Sequence, residues 1–256
     1  MAKVVKYLKF SAIVLLMLGL ACYVVFAMIK MTDPAPDELC KDVELVVSKN
    51  TKVDFVDAKV MESLLKSKGL YPKGKLMKDV DTRSIEKLIS ENDFVSKVEC
   101  YKTAGRKLRI DVVQRTPVMY IIPDGENGYY VDKAGKVIPG TVFTSNIVVA
   151  TGAVTQKYAS EELAPFGAFL QTDAFWNNQI EQIYVTKGSK NKPVVEIVPR
   201  VGDHIVYLGT LDDYEKKLRR LRIFYEKAME TVGWNKYSKI NLEYKNQIIC
   251  TIRKRK

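Results

Sequence analysis

The run Lys75–Ile121 reads KLMKDVDTRSIEKLISENDFVSKVECYKTAGRKLRIDVVQRTPVMYI, and its apolar period changes once along its length. From Asp81, a residue suited to an N-cap, Ile85, Leu88 and Ile89 recur at helical spacing. From Phe94 the period drops to two. Val98 and Cys100 fall on one face of FVSKVECYK, and Leu108, Ile110 and Val112 on one face of KLRIDVVQRTPV, with TAGR as the turn between. Upstream, Val43–Val47 reads as a short strand. Asp54 is a candidate cap for a helix with Val56, Val60, Met61, Leu64 and Leu65 on its stripe, closed by Gly69 and followed by a Pro72/Gly74 loop. The order β-α-α-β-β over residues 42–116 predicts an α+β unit with both helices on one side of a small sheet.

Past Pro117 the texture is β-rich, and residues 117–256 are read as a second domain. Short strand-like runs recur: VMYII, GYYVD, GKVIP, NIVVATG, QIEQIYVTK, KPVVEIVPR and DHIVYLG. VDKAGKV has the form of a hairpin turning at Asp132 and Gly135. A helix over Ser160–Gln171 is expected to be weak or kinked, because it contains Pro165 and Gly167. Residues 211–231 form an amphipathic helix with Leu211, Tyr214, Leu218, Leu221, Tyr225 and Ala228 on its stripe. Lys216, Lys217, Arg219, Arg220 and Arg222 lie off the stripe and read as a solvated outer face, with lipid head groups or an acidic partner as the sharper alternative. The last eighteen residues, KINLEYKNQIICTIRKRK, alternate without Pro or Gly and predict one long half-buried strand. Its free side is an open edge, and its terminal basic cluster is expected to keep identical copies apart.

The formal charge of +11 favours anionic partners. Phe10–Ile29 is uncharged over twenty residues, long enough as a helix to span about 30 Å of hydrocarbon. Lys3, Lys6 and Lys9 precede it, and Asp33, Asp37 and Glu38 follow. The positive-inside rule therefore keeps the tail (residues 1–9) cytoplasmic and sends the rest across, through a stiff Pro34/Pro36 linker within residues 30–41. A cleaved signal peptide ending at Val25-Phe26-Ala27 is the alternative, but the apolar run exceeds a usual signal core. A lipoprotein reading through Cys22 is weaker, since Gly19 stands where a large aliphatic residue is expected. Outside this span, Cys40, Cys100 and Cys250 allow at most one bridge, and Cys100 and Cys250, on the apolar parity of their strands, read as buried free thiols.

Catalytic signatures are sparse. His204 is the only histidine, so any triad, Cys-His dyad or multi-histidine metal site depends on it, and it reads as an edge or surface imidazole. No P-loop, dinucleotide fingerprint, G-x-S-x-G or H-E-x-x-H occurs. Glu161-Glu162 and Asp212-Asp213 sit at helix starts, where they complement the dipole. No cofactor, metal or nucleic acid is expected.

These segments together resemble the FtsQ (DivIB) family of bacterial division proteins. A short basic tail and one membrane helix lead into a unit that resembles a POTRA domain. Gln114-Arg115-Thr116-Pro117 stands where the family has Glu-Arg-x-Pro. YYVDKAGKVIP, IVYLGTLDDYEKKLRRLRIF and KINLEYKNQIIC resemble its hairpin, its strand with basic helix, and its closing Asp-Leu-Arg-Tyr strand. Gln114, Asn241 and Glu243 depart from the pattern, the last reversing a charge, which marks a divergent branch. The resemblance implies a non-enzymatic, single-span scaffold at the division septum of the inner membrane. FtsB-like and FtsL-like proteins are its implied partners, with further division proteins meeting the POTRA-like unit. An FtsB-like segment would add to the terminal strand at Glu243, Tyr244, Lys245, Asn246, Gln247 and Ile248, with Lys190 as a basic flank. A different POTRA-bearing envelope protein and an anchored cell-wall enzyme are the competing classes. The first would carry tandem units or a barrel, the second a cleft with converging acids.

Overall fold

The computed structural model describes residues 2–32, 37–48, 55–140 and 147–254. Helix α1 runs Ala2–Thr32 and contains the apolar stretch Phe10–Ala27, long and apolar enough to cross a membrane. The chain divides into two compact units between Gln114 and Arg115, with α1 in the first.

The first unit comprises β1 (Asp42–Ser48), α2 (Ala58–Ser67), α3 (Thr82–Ser90), β2 (Val95–Lys102) and β3 (Lys107–Gln114). Its sheet has the order β1-β3-β2, with β1 parallel and β2 antiparallel to the central β3. The alternation read from the sequence is realised on β3. Leu108, Ile110 and Val112 are fully buried against Met61, Leu65, Ile85 and Ile89 of the helices. Each such side chain contributes roughly 1.5–3 kcal/mol. The outward residues pair instead: Lys107 with Glu44 at 2.6 Å, and Arg109 with Asp111 at 3.0 Å.

Asp81 caps α3 by accepting from the Ser84 N–H, as expected. The cap of α2 is Asp57, which accepts from the Lys59 N–H at 2.7 Å; the expected cap, Asp54, lies outside the described residues. Gln114 is buried, and its Oε1 accepts from the N–H groups of Phe55 and Val56 at 2.8 and 3.1 Å. An amide there supplies the acceptor that this entry into α2 needs without burying a charge. Part of the segment read as a linker is docked. Glu38 and Cys40 exchange backbone bonds with Gly74, Lys75 and Met77, all at 2.8 Å.

The second unit holds β4 (Pro117–Pro123), β5 (Tyr129–Asp132), β6 (Val137–Pro139), β7 (Val149–Gly152), α4 (Ala164–Thr172), α5 (Ala174–Gln179), β8 (Ile180–Lys187), β9 (Pro193–Pro199), β10 (Ile205–Gly209), α6 (Tyr214–Phe224), β11 (Tyr237–Asn241) and β12 (Ile249–Ile252). Nine strands form one mixed sheet, ordered β12-β11-β10-β9-β8-β7-β4-β5-β6. Ile183, Val185, Val195 and Ile197 alternate onto the face that meets Leu163, Phe166, Leu170, Leu218 and Leu221 of the helical segments.

The expected break near Pro165 is a π-turn, Ala159–Leu163, which leads directly into α4. Proline lacks the N–H that an α-turn would use, and a π-turn absorbs the irregularity. Gly167 is favoured by closeness: a Cβ there would stand 3.0 Å from the Val118 carbonyl, a tight contact.

Two features read separately in the sequence meet here. Arg115 Nη1 bonds Asp132 Oδ2 at 2.7 Å, and both side chains are largely buried. The other oxygen of Asp132 accepts from the N–H groups of Ala134 and Lys136, both at 2.9 Å, closing the β5–β6 turn. Gly135 takes φ +76° in that turn and packs against the Ser160 carbonyl, 2.4 Å from where a Cβ would sit.

His204 is not at the surface. It is 1% exposed, with Nε2 2.7 Å from the Tyr225 hydroxyl and with Trp234 stacked nearby. Gly202 and Asp203 mark a turn beside it, which suggests a surface position, whereas the late helix and Trp234 close over the ring. Burial holds its pKa below the ordinary histidine value. A folded pKa below the unfolded one means that the unfolded chain takes up the proton first as pH falls. Stability is therefore expected to decline below about pH 6.5, by at most about 1.4 kcal/mol per pH unit, and to level off below the folded pKa. Urea unfolding at pH 7.5 and pH 5.5 measures this, and His204→Gln removes that component of the slope.

Candidate docking edge at the C-terminus

The predicted single strand over the last eighteen residues is a hairpin. β11 pairs in parallel with β10, and β12 folds back antiparallel on β11. Between them, residues 242–248 turn the chain, with Asn246 in the left-handed region at φ +60°. Leu242 leaves the ladder fully buried, its N–H on the Tyr207 carbonyl, and the Asn241 side chain accepts from the Glu243 N–H.

β12 is the outermost strand, and among the described residues nothing pairs with its outer side. Arg253 N–H bonds inward to the Lys236 carbonyl at 2.9 Å. Alternation along an antiparallel strand then turns the N–H groups of Ile252 and Cys250 outward. Apolar side chains stand along this edge: Tyr244, Ile249 and Ile252 are 50%, 47% and 66% exposed. Tyr244 thus lies on an exposed turn. Glu243, Lys245, Asn246 and Gln247 are exposed on the same turn, and Ile248 is half-buried against the core. The backbone of Lys190 lies in the turn Ser189–Asn191; its side chain is outside the described residues. That turn sits at the same end of the sheet as 242–248, with β9 three strand steps, about 14 Å, from β12.

The helix behind the hairpin corrects the reading of its cations as a solvated face. Lys217 is buried and donates to the carbonyls of Leu208 and Thr210 at 3.1 and 2.7 Å, and burial pushes its pKa down. Arg220 is half-buried and donates to Leu242, Tyr244 and Gln247 carbonyls at 3.0, 2.8 and 3.2 Å. Spacing held the clue. Lys217 stands three residues after Tyr214 and four before Leu221, on the border of the apolar stripe, where a long stem buries readily. Arg253 of the terminal basic cluster is also engaged, donating to the Asp203 and Asn235 carbonyls at 2.8 and 3.3 Å. Its charge serves the fold, while residues 255 and 256 lie outside the described residues.

A cleft of about 520 Å³ opens between α6 and the hairpin turn, bordered by Asp212, Lys216, Arg219, Glu243 and Lys245. Its charges are mixed and carry no constellation for chemistry. Among the described residues, no three His, Cys, Asp or Glu side chains gather as metal ligands. The cysteines are unbridged, and burial pushes the Cys100 thiol up to about 12, the behaviour of a packed rather than a reactive thiol.

Comparison with known families agrees with this architecture. A family described as FtsQ/DivIB, C-terminal related, matches residues 116–251, and one described as a POTRA-like domain matches residues 38–113. No curated protein matches the chain. The first match covers more than half of the sequence, so the chain belongs to the FtsQ/DivIB-related family as a divergent member, with a POTRA-like domain and an N-terminal apolar helix preceding the C-terminal domain.

Proposed function

We propose that the protein is a non-enzymatic, single-span scaffold of the bacterial division machinery, anchored in the inner membrane by α1 with its folded units outside the cytoplasm. Its C-terminal edge receives an extended segment of an FtsB-like bitopic protein, which brings an FtsL-like protein with it to the septum. The POTRA-like unit and the membrane helix meet other division proteins. The family relation supports the division role, and the family is typically non-enzymatic. The observation that carries the docking mode is the unpaired outer side of β12 beside exposed Tyr244, Ile249 and Ile252. Such an edge is completed by β-augmentation, in which main-chain bonds give affinity and side chains give selectivity.

Glu243, Tyr244, Lys245, Asn246, Gln247 and Ile248 form the reading surface, and Lys190 flanks it at the same end of the sheet. With Glu243 at its position, the matching partner carries a basic rather than an acidic residue opposite it. Tyr244 is the anchor. Tyr244→Ala is expected to weaken capture of the co-expressed FtsB-like protein about 30-fold, the scale of an aromatic hot spot, with the thermal transition unchanged. Equal capture by wild type and variant would remove Tyr244 from the site.

A further inference from the structure

β12 has four residues and hangs on a turn of seven. Among the described residues, a single backbone-to-backbone bond, from Leu242 N–H to the Tyr207 carbonyl, holds that turn. The ladder ties β12 to β11 at four register positions, but so short a strand entered through so lightly bonded a turn would fray from that end, and fraying removes the straight row of groups on which an added strand depends. Besides that ladder and the bond from Arg253 N–H to the Lys236 carbonyl, side chains restrain both ends. Before β12, the Arg220 guanidinium gathers three carbonyls spread over six residues of chain, Leu242, Tyr244 and Gln247. After β12, Arg253 reaches the Asp203 and Asn235 carbonyls. Arg220 makes no ion pair with a carboxylate among the described residues, so its donors are directed at the turn.

We propose that Arg220 is a positioning residue for the docking edge. Its planar fork fixes the 242–247 turn and so holds the outer side of β12 ready for an extended peptide segment, with Arg253 securing the far end. This rests on the docking reading above. The fork matters more than the charge. Five donors in fixed geometry can bridge three carbonyls, whereas a lysine ammonium is a compact point charge on a flexible stem. Ordering the edge beforehand lowers the cost of association, so the residue acts on affinity without contacting the partner. The clamp also bears on Tyr244, whose own carbonyl is one of the three that are held.

The test uses the full chain in detergent micelles, as wild type, Arg220→Lys and Arg220→Gln. Hydrogen exchange followed by mass spectrometry reads peptides spanning 242–252, with β4 and β5 as the internal measure of intact folding. Capture of the co-expressed FtsB-like protein is read in parallel. The expected result is at least about tenfold faster exchange at 248–252 in Arg220→Lys, unchanged exchange in β4 and β5, and capture weakened by about tenfold. Unchanged exchange at 248–252 in both variants overturns the clamp itself. Faster exchange with undiminished capture overturns its role in docking. A wild-type chain that captures no partner overturns the docking reading, and with it the positioning role, whatever the exchange shows.

Discussion

Ile252→Pro is expected to abolish capture of the strand-adding partner, by about a hundredfold or more, while the domain melts within a few degrees of wild type. The Arg253 N–H is committed inward to Lys236, and this fixes the outward direction of the Ile252 N–H one residue earlier. Proline at 252 deletes that outward donor and places a ring where the incoming backbone would lie. The bonds that hold β12 to β11 survive, as edge strands tolerate proline on their open side. The Ile252 side chain is 66% exposed, so little core packing is lost. Thr251→Pro makes the opposing control. Its N–H faces β11, so that variant should lower the melting temperature as well as weaken capture. Isothermal titration beside thermal unfolding separates the two. Tight binding by a folded Ile252→Pro protein would show that the partner does not pair with β12.

The same hairpin shows where sequence reading stops. On β3, alternation was decisive because one face of the strand is buried and the other carries Lys107, Arg109 and Asp111, so a one-residue slip would bury charge. At the C-terminus, alternation was equally clean but compatible with two folds. Ile240 faces Cys250 and Asn241 faces Ile249, each partner an even number of residues away. Residues of one parity therefore share a face whether the chain runs straight or turns back. The turn at 242–248 carries neither glycine nor proline, and its one signal is Asn246, which supplies the positive φ but is a weaker mark than a glycine. Charge misled for a related reason. Lys217, Arg220 and Arg253 read as solvent-facing because cations usually are, yet each is directed at carbonyls that the sheet leaves unpaired at its ends. His204 was misplaced because its cover, Tyr225 and Trp234, comes from residues more than twenty positions away. Short-range period and turn chemistry are legible in one sequence; the partners of a buried polar group are a tertiary fact.

Arg115→Ala is expected to destabilise the C-terminal unit by about 3–5 kcal/mol, lowering its melting temperature by about 10 °C. The family pattern marked Arg115-x-Pro117 and the Asp132/Gly135 turn as two separate motifs, but they form one device. Arg115 stands at the start of this unit, and Asp132 ends β5, with 2.7 Å between their charged atoms and side-chain exposures of 18% and 7%. Pro117 pairs directly with Asp132 in the ladder, so the ion pair closes over the first register position of β4 on β5. Removing the guanidinium leaves a buried carboxylate with two backbone donors, Ala134 and Lys136, and no counter-charge. The cost comes from that stranded charge rather than from the pair's own attraction, because two buried charges repay little more than their desolvation. A double-mutant cycle distinguishes the two. Asp132→Asn keeps an acceptor for the turn and removes the charge, so it should cost less in the Arg115→Ala background than in wild type. The expected coupling is about 2 kcal/mol, read from urea unfolding of the four proteins. Additive losses would mean that Arg115 and Asp132 act separately, with the Asp132 turn alone holding the β5–β6 hairpin against the Ser160 carbonyl.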